Sequence, residues 1–180
     1  AGASSAISLA LAILIFSRIS GGHVNPALTL ALGILRRISP RLIPGYMAAQ
    51  LAGSCLAGLS LMWLRGGDGA MGANIPDIDS GITVGRALAI EVLLSFLMMV
   101  VILMVMAVNR QDVAVSALAI GGIVGLEVML FGSTAGAAMN PARAFGPYIA
   151  YGDWSYFWIY VVGPLLGING AAVLYRIYEG

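Results

Sequence analysis

From Val84 to Val108 the chain runs for 25 residues with only Arg86 and Glu91 charged. An apolar stretch of about 20 residues is long enough, as a helix, to cross the hydrocarbon core of a bilayer. Four more such runs occupy residues 1–16, 43–64, 113–131 and 154–177. Composition agrees: 60% of the residues are hydrophobic, 9% are charged, and the mean hydropathy is +0.96. A soluble domain carries about 25% charged residues, so this chain lacks the polar groups to cover itself in water. Lipid is its solvent, and an all-α membrane protein with five visible spans is the expected class. The connections between spans are short and polar: "SRIS", "RRISPR", "RGGDGAMGANIPDIDSG", "NRQD" and "YGDW".

Several classes of function drop out. A net charge of +1 supplies no basic field for nucleic acid. The lone Cys55 excludes an intramolecular disulfide and sits as a small packing residue in "AAQLAGSCLAG". No metal-ligand cluster and no nucleophile–base pair is visible, which ranks a membrane enzyme last; no cofactor is expected. The chain opens "AGASSAISL", without Met and without a charged leader, so it reads as a chain that starts partway through something and not as a signal peptide.

Two apolar stretches are too short to span. Residues 27–35 and 142–149 each follow an Asn-Pro pair, in "GGHVNPALTL" and "GAAMNPARAF". Each makes two to three helical turns, roughly half the thickness of the hydrocarbon core. Proline at a first-turn position loses no helical hydrogen bond, and asparagine is a favoured N-cap. Asn25-Pro26-Ala27 and Asn140-Pro141-Ala142, 115 residues apart, therefore read as helix starts.

Charge placement orients the chain. With five spans and two half-helices that return to their own side, Arg18, Arg36, Arg37, Arg41, Arg110 and Arg176 fall on one face, and Asp68, Asp77, Asp79 and Asp153 on the other. The arginine-rich face is cytoplasmic by the positive-inside bias, and the two Asn-Pro segments enter from opposite faces. Similar units entering from opposite sides form an inverted repeat, which places a site near the midplane. Residues 1–65 are the first unit, 84–180 the second and 66–83 an extracellular connection, all within one membrane domain. Two spans precede Asn140 and only one precedes Asn25, so the repeat predicts one more span upstream of residue 1.

"SGGHVNPALTLAL" and "GAAMNPARAFGP", joined by this pattern of spans, resemble the aquaporin, or major intrinsic protein, family over nearly the whole chain. The stretches "WIYVVGPLLG" and "MNPARAFGP" are most similar to its nodulin-like intrinsic branch, which carries water, glycerol and small uncharged metalloid acids. Glycerol facilitators usually have Asp after the arginine of the second box; Ala144 stands there, which lowers a glycerol-specific reading. The resemblance implies a passive channel for water and small neutral solutes, assembled in the lipid bilayer as a homotetramer with one pore per protomer, in the plasma (cell inner) membrane.

In such a fold the half-helices meet tip to tip, each with about half a positive charge at its N-terminus, which repels cations and hydronium. Asn25 and Asn140 each cap a helix and turn an amide donor to the lumen. Backbone carbonyls of Gly21, Gly22 and His23, and of Gly136, Ala137 and Ala138, line a wall, irregular backbone being tolerated at membrane depth where it faces such a cavity. The resemblance makes Arg143 part of the outer constriction, together with Ser5, Val128 and Ala137. None of those three is aromatic or His, so the expected pore is wide enough for polyols, urea-like solutes or metalloid hydroxides as well as water. A strictly water-selective channel is the nearest alternative. A coupled transporter is another, although only Glu91 and Glu127 are candidate coupling acids.

Glu91 matches the family's membrane glutamate, which accepts backbone N–H bonds from a re-entrant loop; a buried carboxylate without partners is costly. Glu127, next to Val128, has three open readings: facing the lumen wall, bracing a loop, or protonated in the membrane. His23 is either a gate or proton sensor, or a packed loop histidine. Met98, Met99, Met104 and Met106 read as adaptable packing. The pairs Gly121/Gly125 and Gly163/Gly167 permit close helix crossings.

Overall fold

The structure is a computed structural model that describes residues 1–66, 70–108 and 112–179; Asp68 and Arg110 fall outside them. Among the described residues seven α-helices follow one another: α1 (Gly2–Ser20), α2 (Pro26–Ile34), α3 (Ile43–Arg65), α4 (Val84–Val108), α5 (Val113–Ala135), α6 (Pro141–Tyr151) and α7 (Ile159–Glu179). Two 3-10 turns, Pro40–Leu42 and Ile78–Ser80, interrupt the connections. Five helices, α3 counted with its leading 3-10 turn, are long and apolar enough to cross a membrane, while α2 and α6 are half-length.

Most boundaries follow the apolar runs, with informative departures. The first helix continues past residue 16 to Ser20, where Gly21 takes the left-handed C-cap. The fourth full helix, α5, runs on from residue 131 to Ala135, and α6 reaches Tyr151 before Gly152 ends it in the same way. The last helix starts at Ile159, five residues later than hydropathy places it. The intervening residues form an aromatic cap instead: Trp154 packs edge-on to Phe157 (5.0 Å) and both meet Phe145 and Tyr148. Hydropathy cannot distinguish an apolar helical turn from an apolar plug.

The packing pairs α1 with α5, α4 with α5 and α7, and each half-helix with a full helix from the other half of the chain: α6 on α3, and α2 on α7. Lipid is as apolar as leucine, so helix contacts here depend on close backbone approach more than on the hydrophobic effect. Gly121 and Gly125 receive Ala6 and Ala10 of α1, and Gly163 receives Glu91: a Cβ at Gly121 would lie 2.7 Å from the Ala6 carbonyl, and one at Gly163 2.6 Å from the Glu91 Cβ. Alanine at any of these positions forces the helices apart. The core gathers around α4, with Leu94, Met98, Met99, Ile102 and Leu103 all buried. The methionines there split: Met98 and Met99 are core, Met106 packs against it, and Met104 is exposed to lipid.

The charged ends separate. Arg18 ends α1, and Arg176 near the end of α7 donates from Nη1 to the Ile34 carbonyl at the end of α2 (2.7 Å). A cation on the last carbonyls of a short helix also complements its negative pole. At the opposite end, the Asp77 N–H bonds the Thr134 carbonyl, tying the segment that begins at Ala70 to the end of α5. Arg65, at the end of α3, and Arg86, in the first turn of α4, lie at this second end too, so the arginine bias is strong without being complete.

Candidate functional site

Asn25 is the N-cap of α2, its side-chain carbonyl accepting from the N–H groups of Ala27 (3.0 Å) and Leu28 (3.4 Å). Asn140 caps α6 in the same way, accepting from Ala142 N–H (2.9 Å). Pro26 and Pro141 occupy the first helical positions, where no amide hydrogen is needed. Both caps have extended backbone, φ −140° for Asn25 and −155° for Asn140, which aims the side chain back over the first turn.

The two tips are tied to each other. Asn25 Nδ2 donates to the Met139 carbonyl (2.8 Å), and Asn140 Nδ2 donates to the Val24 carbonyl (2.9 Å). Met139 and Val24 each precede the opposite asparagine, so the two bonds are counterparts under the 115-residue repeat. One hydrogen of each side-chain amide thus crosses to the other loop, and the second takes no part in these bonds. The junction thus brings two helix N-termini, and two half-helix dipoles, to one place.

The loop before Asn25 turns on Gly21 and Gly22, both left-handed (φ 79° and 69°). Tyr46 of α3 donates to the Ser20 carbonyl (3.1 Å) and stacks on His23 (ring centroids 4.4 Å apart, 16° between planes). Gln50, one turn further along α3, donates to the His23 carbonyl (2.7 Å) and to the Thr29 hydroxyl (2.9 Å). The Thr29 hydroxyl gives its single hydrogen to the Asn25 carbonyl (3.0 Å). It therefore receives from Gln50 and from His23 Nδ1 (2.9 Å), which fixes the hydrogen of the neutral imidazole on Nδ1 and leaves Nε2 as an acceptor.

The loop before Asn140 follows the same path with different residues. Gly136 is left-handed (φ 94°), and so are Ala137 (φ 47°) and Met139 (φ 53°), conformations that cost a residue with a Cβ. Glu91 of α4 holds this stretch, accepting from the N–H groups of Ala138 (2.5 Å) and Met139 (2.9 Å). Tyr160 of α7 donates to the Ala135 carbonyl (2.9 Å), the counterpart of the Tyr46 bond to Ser20. Asn74 donates to the Gly136 carbonyl (2.6 Å) and is itself held by the Tyr148 hydroxyl (2.7 Å). Arg143 Nη1 donates to the Ala137 carbonyl. Of the carbonyls expected along the wall, those of His23, Gly136 and Ala137 therefore already accept a side-chain donor, each keeping one lone pair.

Val128 and Ala137 are both buried in the core cluster around α4, and Arg143 reaches Ala137 directly. Ser5 is half-buried on α1, one turn from Leu9, which packs on that same cluster. Glu127 is 3% exposed, and neither carboxyl oxygen has a hydrogen-bond partner among the described residues. Without such a partner it does not brace a loop. The sequence reading missed Tyr46, Gln50, Thr29, Asn74 and Tyr160, which hold the loops. The spacing of Tyr46 and Tyr160, 114 residues apart and close to the repeat, was the one available signal.

The Major intrinsic protein family profile matches residues 1–175. The chain belongs to the major intrinsic protein family. It is 40% identical over 159 residues to aquaporin TIP4-1 of Zea mays, covering 88% of this chain and 61% of the relative. To aquaporin NIP1-1 of Oryza sativa subsp. japonica it is 37% identical over 172 residues, covering 94% and 59%. Relatives of the NIP and TIP types thus match to similar degrees. The chain spans 59% to 73% of the length of the first curated relatives it matches. The fold of an aquaglyceroporin from Plasmodium falciparum superposes with a TM-score of 0.86 at 24% identity, over 97% of this chain and 79% of that one. That likeness carries the architecture: an inverted repeat of helices with two re-entrant half-helices.

Proposed function

We propose that this membrane protein forms a passive channel for water and small uncharged solutes, with the junction of α2 and α6 at its centre. The crossed bonds from Asn25 to Met139 and from Asn140 to Val24 carry this reading. They fix two helix N-termini against each other, leave one amide hydrogen on each asparagine, and surround the point with positive dipole ends. A water or polyol oxygen gains two donors there, while a cation or hydronium meets two like poles.

Arg143, Val128, Ala137 and Ser5 form the outer constriction in this reading. Arg143 donates to a permeating oxygen, and the small Val128, Ala137 and Ser5 leave room for glycerol, urea-like solutes or metalloid hydroxides. Gly21, Gly22, His23, Gly136, Ala137 and Ala138 supply backbone acceptors along the path, and Glu91 holds the second loop in register. The chain acts as one channel domain over residues 1–180, with 66–83 on the extracellular side and the arginine-rich end in the cytoplasm. Four copies assemble in the plasma (cell inner) membrane, each with its own pore.

Stopped-flow light scattering on proteoliposomes tests this. The expected result is rapid shrinkage with impermeant osmolyte and subsequent re-swelling with glycerol, urea or boric acid. Ala137→Phe and Val128→His should reduce solute flux more than water flux. Water flux with no solute flux in the unaltered chain would assign a strictly water-selective channel instead.

A further inference from the structure

The carbonyls at the end of a helix have no partner within it, and those of an irregular loop have none ready-made. From the last turn of α5 into the loop before Asn140, four successive carbonyls are each met by a different group. The Asp77 N–H donates to Thr134 (3.0 Å), the Tyr160 hydroxyl to Ala135 (2.9 Å), the Asn74 side-chain amide to Gly136 (2.6 Å) and the Arg143 guanidinium to Ala137. Two of these donors, those on Thr134 and Gly136, come from the connection between α3 and α4, which belongs to neither repeat.

That connection is itself held. Asn74 is 5% exposed, and its backbone carbonyl accepts from the Tyr148 hydroxyl of α6 (2.7 Å), inside the aromatic cap. Just before it, a tight turn closed by the Ala73 N–H on the Ala70 carbonyl (2.8 Å) passes through left-handed Met71 and Gly72 (φ 51° and 76°) and buries Met71. A residue with a Cβ keeps that conformation only where its surroundings impose it. The first loop has no equivalent. Under the 115-residue repeat Gly136 and Ala137 correspond to Gly21 and Gly22. Among the described residues the side-chain donors there go to Ser20 and His23, and the carbonyls of Gly21 and Gly22 receive none.

We infer that Asn74 is a positioning residue for solute selection: from the connection between the repeats it holds the Gly136 carbonyl and takes one of its two lone pairs. The inference rests on the proposed constriction, whose Ala137 adjoins Gly136 in the chain. A carbonyl oxygen accepts two hydrogens, so a permeating molecule is offered one acceptor site at Gly136 against two at the equivalent Gly21. Glycerol carries three hydroxyl donors on a body that cannot turn in a narrow passage, whereas water reorients at each step. The number and direction of acceptors therefore weigh on glycerol more than on water.

The test uses the full chain in proteoliposomes, comparing Asn74→Ala, Asn74→Leu, Tyr148→Phe and Arg143→Ala. Glycerol and water permeabilities are measured by stopped flow, and the Gly136 carbonyl carbon by solid-state NMR. Leucine keeps the bulk of Asn74 without its donor, and alanine removes both. In N74A and N74L alike the Gly136 resonance should move upfield. The glycerol-to-water ratio should rise by about two- to fivefold, the ratio equivalent of one net hydrogen bond. Y148F, which frees the Asn74 carbonyl, should move both readouts the same way by less, and serves if the Asn74 variants do not assemble. An unmoved Gly136 resonance overturns the bond. A ratio that rises in N74A and not in N74L overturns the positioning role, because added space then explains it. A moved resonance with an unchanged ratio, while R143A changes the ratio, overturns that role and leaves the constriction standing. If R143A also leaves the ratio unchanged, the constriction reading itself fails, and the positioning role falls with it. Where the unaltered chain passes water alone, N74A without glycerol flux overturns the role as well.

Discussion

The loops that lead into Asn25 and Asn140 trace the same path but reach it by different means. The first is built from residues that accept its geometry: Gly21 and Gly22 take the left-handed conformations without a Cβ, and a tyrosine, a glutamine and a threonine hold it. In the second, left-handed backbone falls on Ala137 and Met139, which resist it, and the braces are correspondingly stronger: a carboxylate on two N–H groups, an arginine, an asparagine and a tyrosine. Backbone strain of about 1–3 kcal/mol per residue persists only where the surroundings over-determine it. The half of the site that departs from an easy conformation is the half that carries Arg143.

The largest contrast between the loops should appear at the glycines that open them. A Cβ on Gly136 would overlap the Tyr160 hydroxyl, whereas one on Gly21 would meet only the movable His23 ring, 3.1 Å away. Gly136→Ala should lower stability by more than about 3 kcal/mol and Gly21→Ala by about 1–2 kcal/mol. Thermal unfolding in detergent measures both, and equal losses would erase the distinction between the loops.

The braces come next. Glu91→Gln leaves one of two buried N–H groups facing an amide donor and should cost about 1–3 kcal/mol; Gln50→Ala, which frees one carbonyl of the first loop, should cost about 1 kcal/mol. If Q50A proves the more damaging, the second loop is not the strained one. Thr29→Val keeps the shape and removes the hydroxyl that three groups share, for about 1 kcal/mol. It should also release the His23 tautomer, which the nitrogen shifts of the imidazole report. The smallest effect is a gain: Ala137→Gly relieves left-handed strain and should stabilise by about 0.5 kcal/mol after the added flexibility of glycine in the unfolded chain. A loss would show that Ala137 is not strained in the membrane.

What could be read in the sequence was whatever is written by local chemistry. Asn-Pro announces a helix start because cap and missing amide hydrogen act within one turn. Spans announce themselves through twenty apolar residues in a row. The braces were hidden for the opposite reason. Gln50, Ser54, Asn74 and Tyr160 are single polar residues in apolar or irregular stretches. Their targets lie at separations of 27, 88, 62 and 25 residues, and no local pattern marks them. The resemblance to a family supplied Glu91 and Arg143, which spacing alone did not. The start of α7 was misplaced because Trp154 and Phe157 bury against Tyr148 and Phe145 and do not continue a helix.

The central claim is that two helix N-termini held together by crossed asparagine bonds pass neutral molecules and stop protons. Proteoliposomes containing the full chain and an internal pH-sensitive dye, placed in an outward osmotic and an inward proton gradient, test it in one trace. The expected result is water efflux well above that of empty liposomes, with internal pH unchanged on the same timescale. Acidification that rises in step with water flux would contradict it.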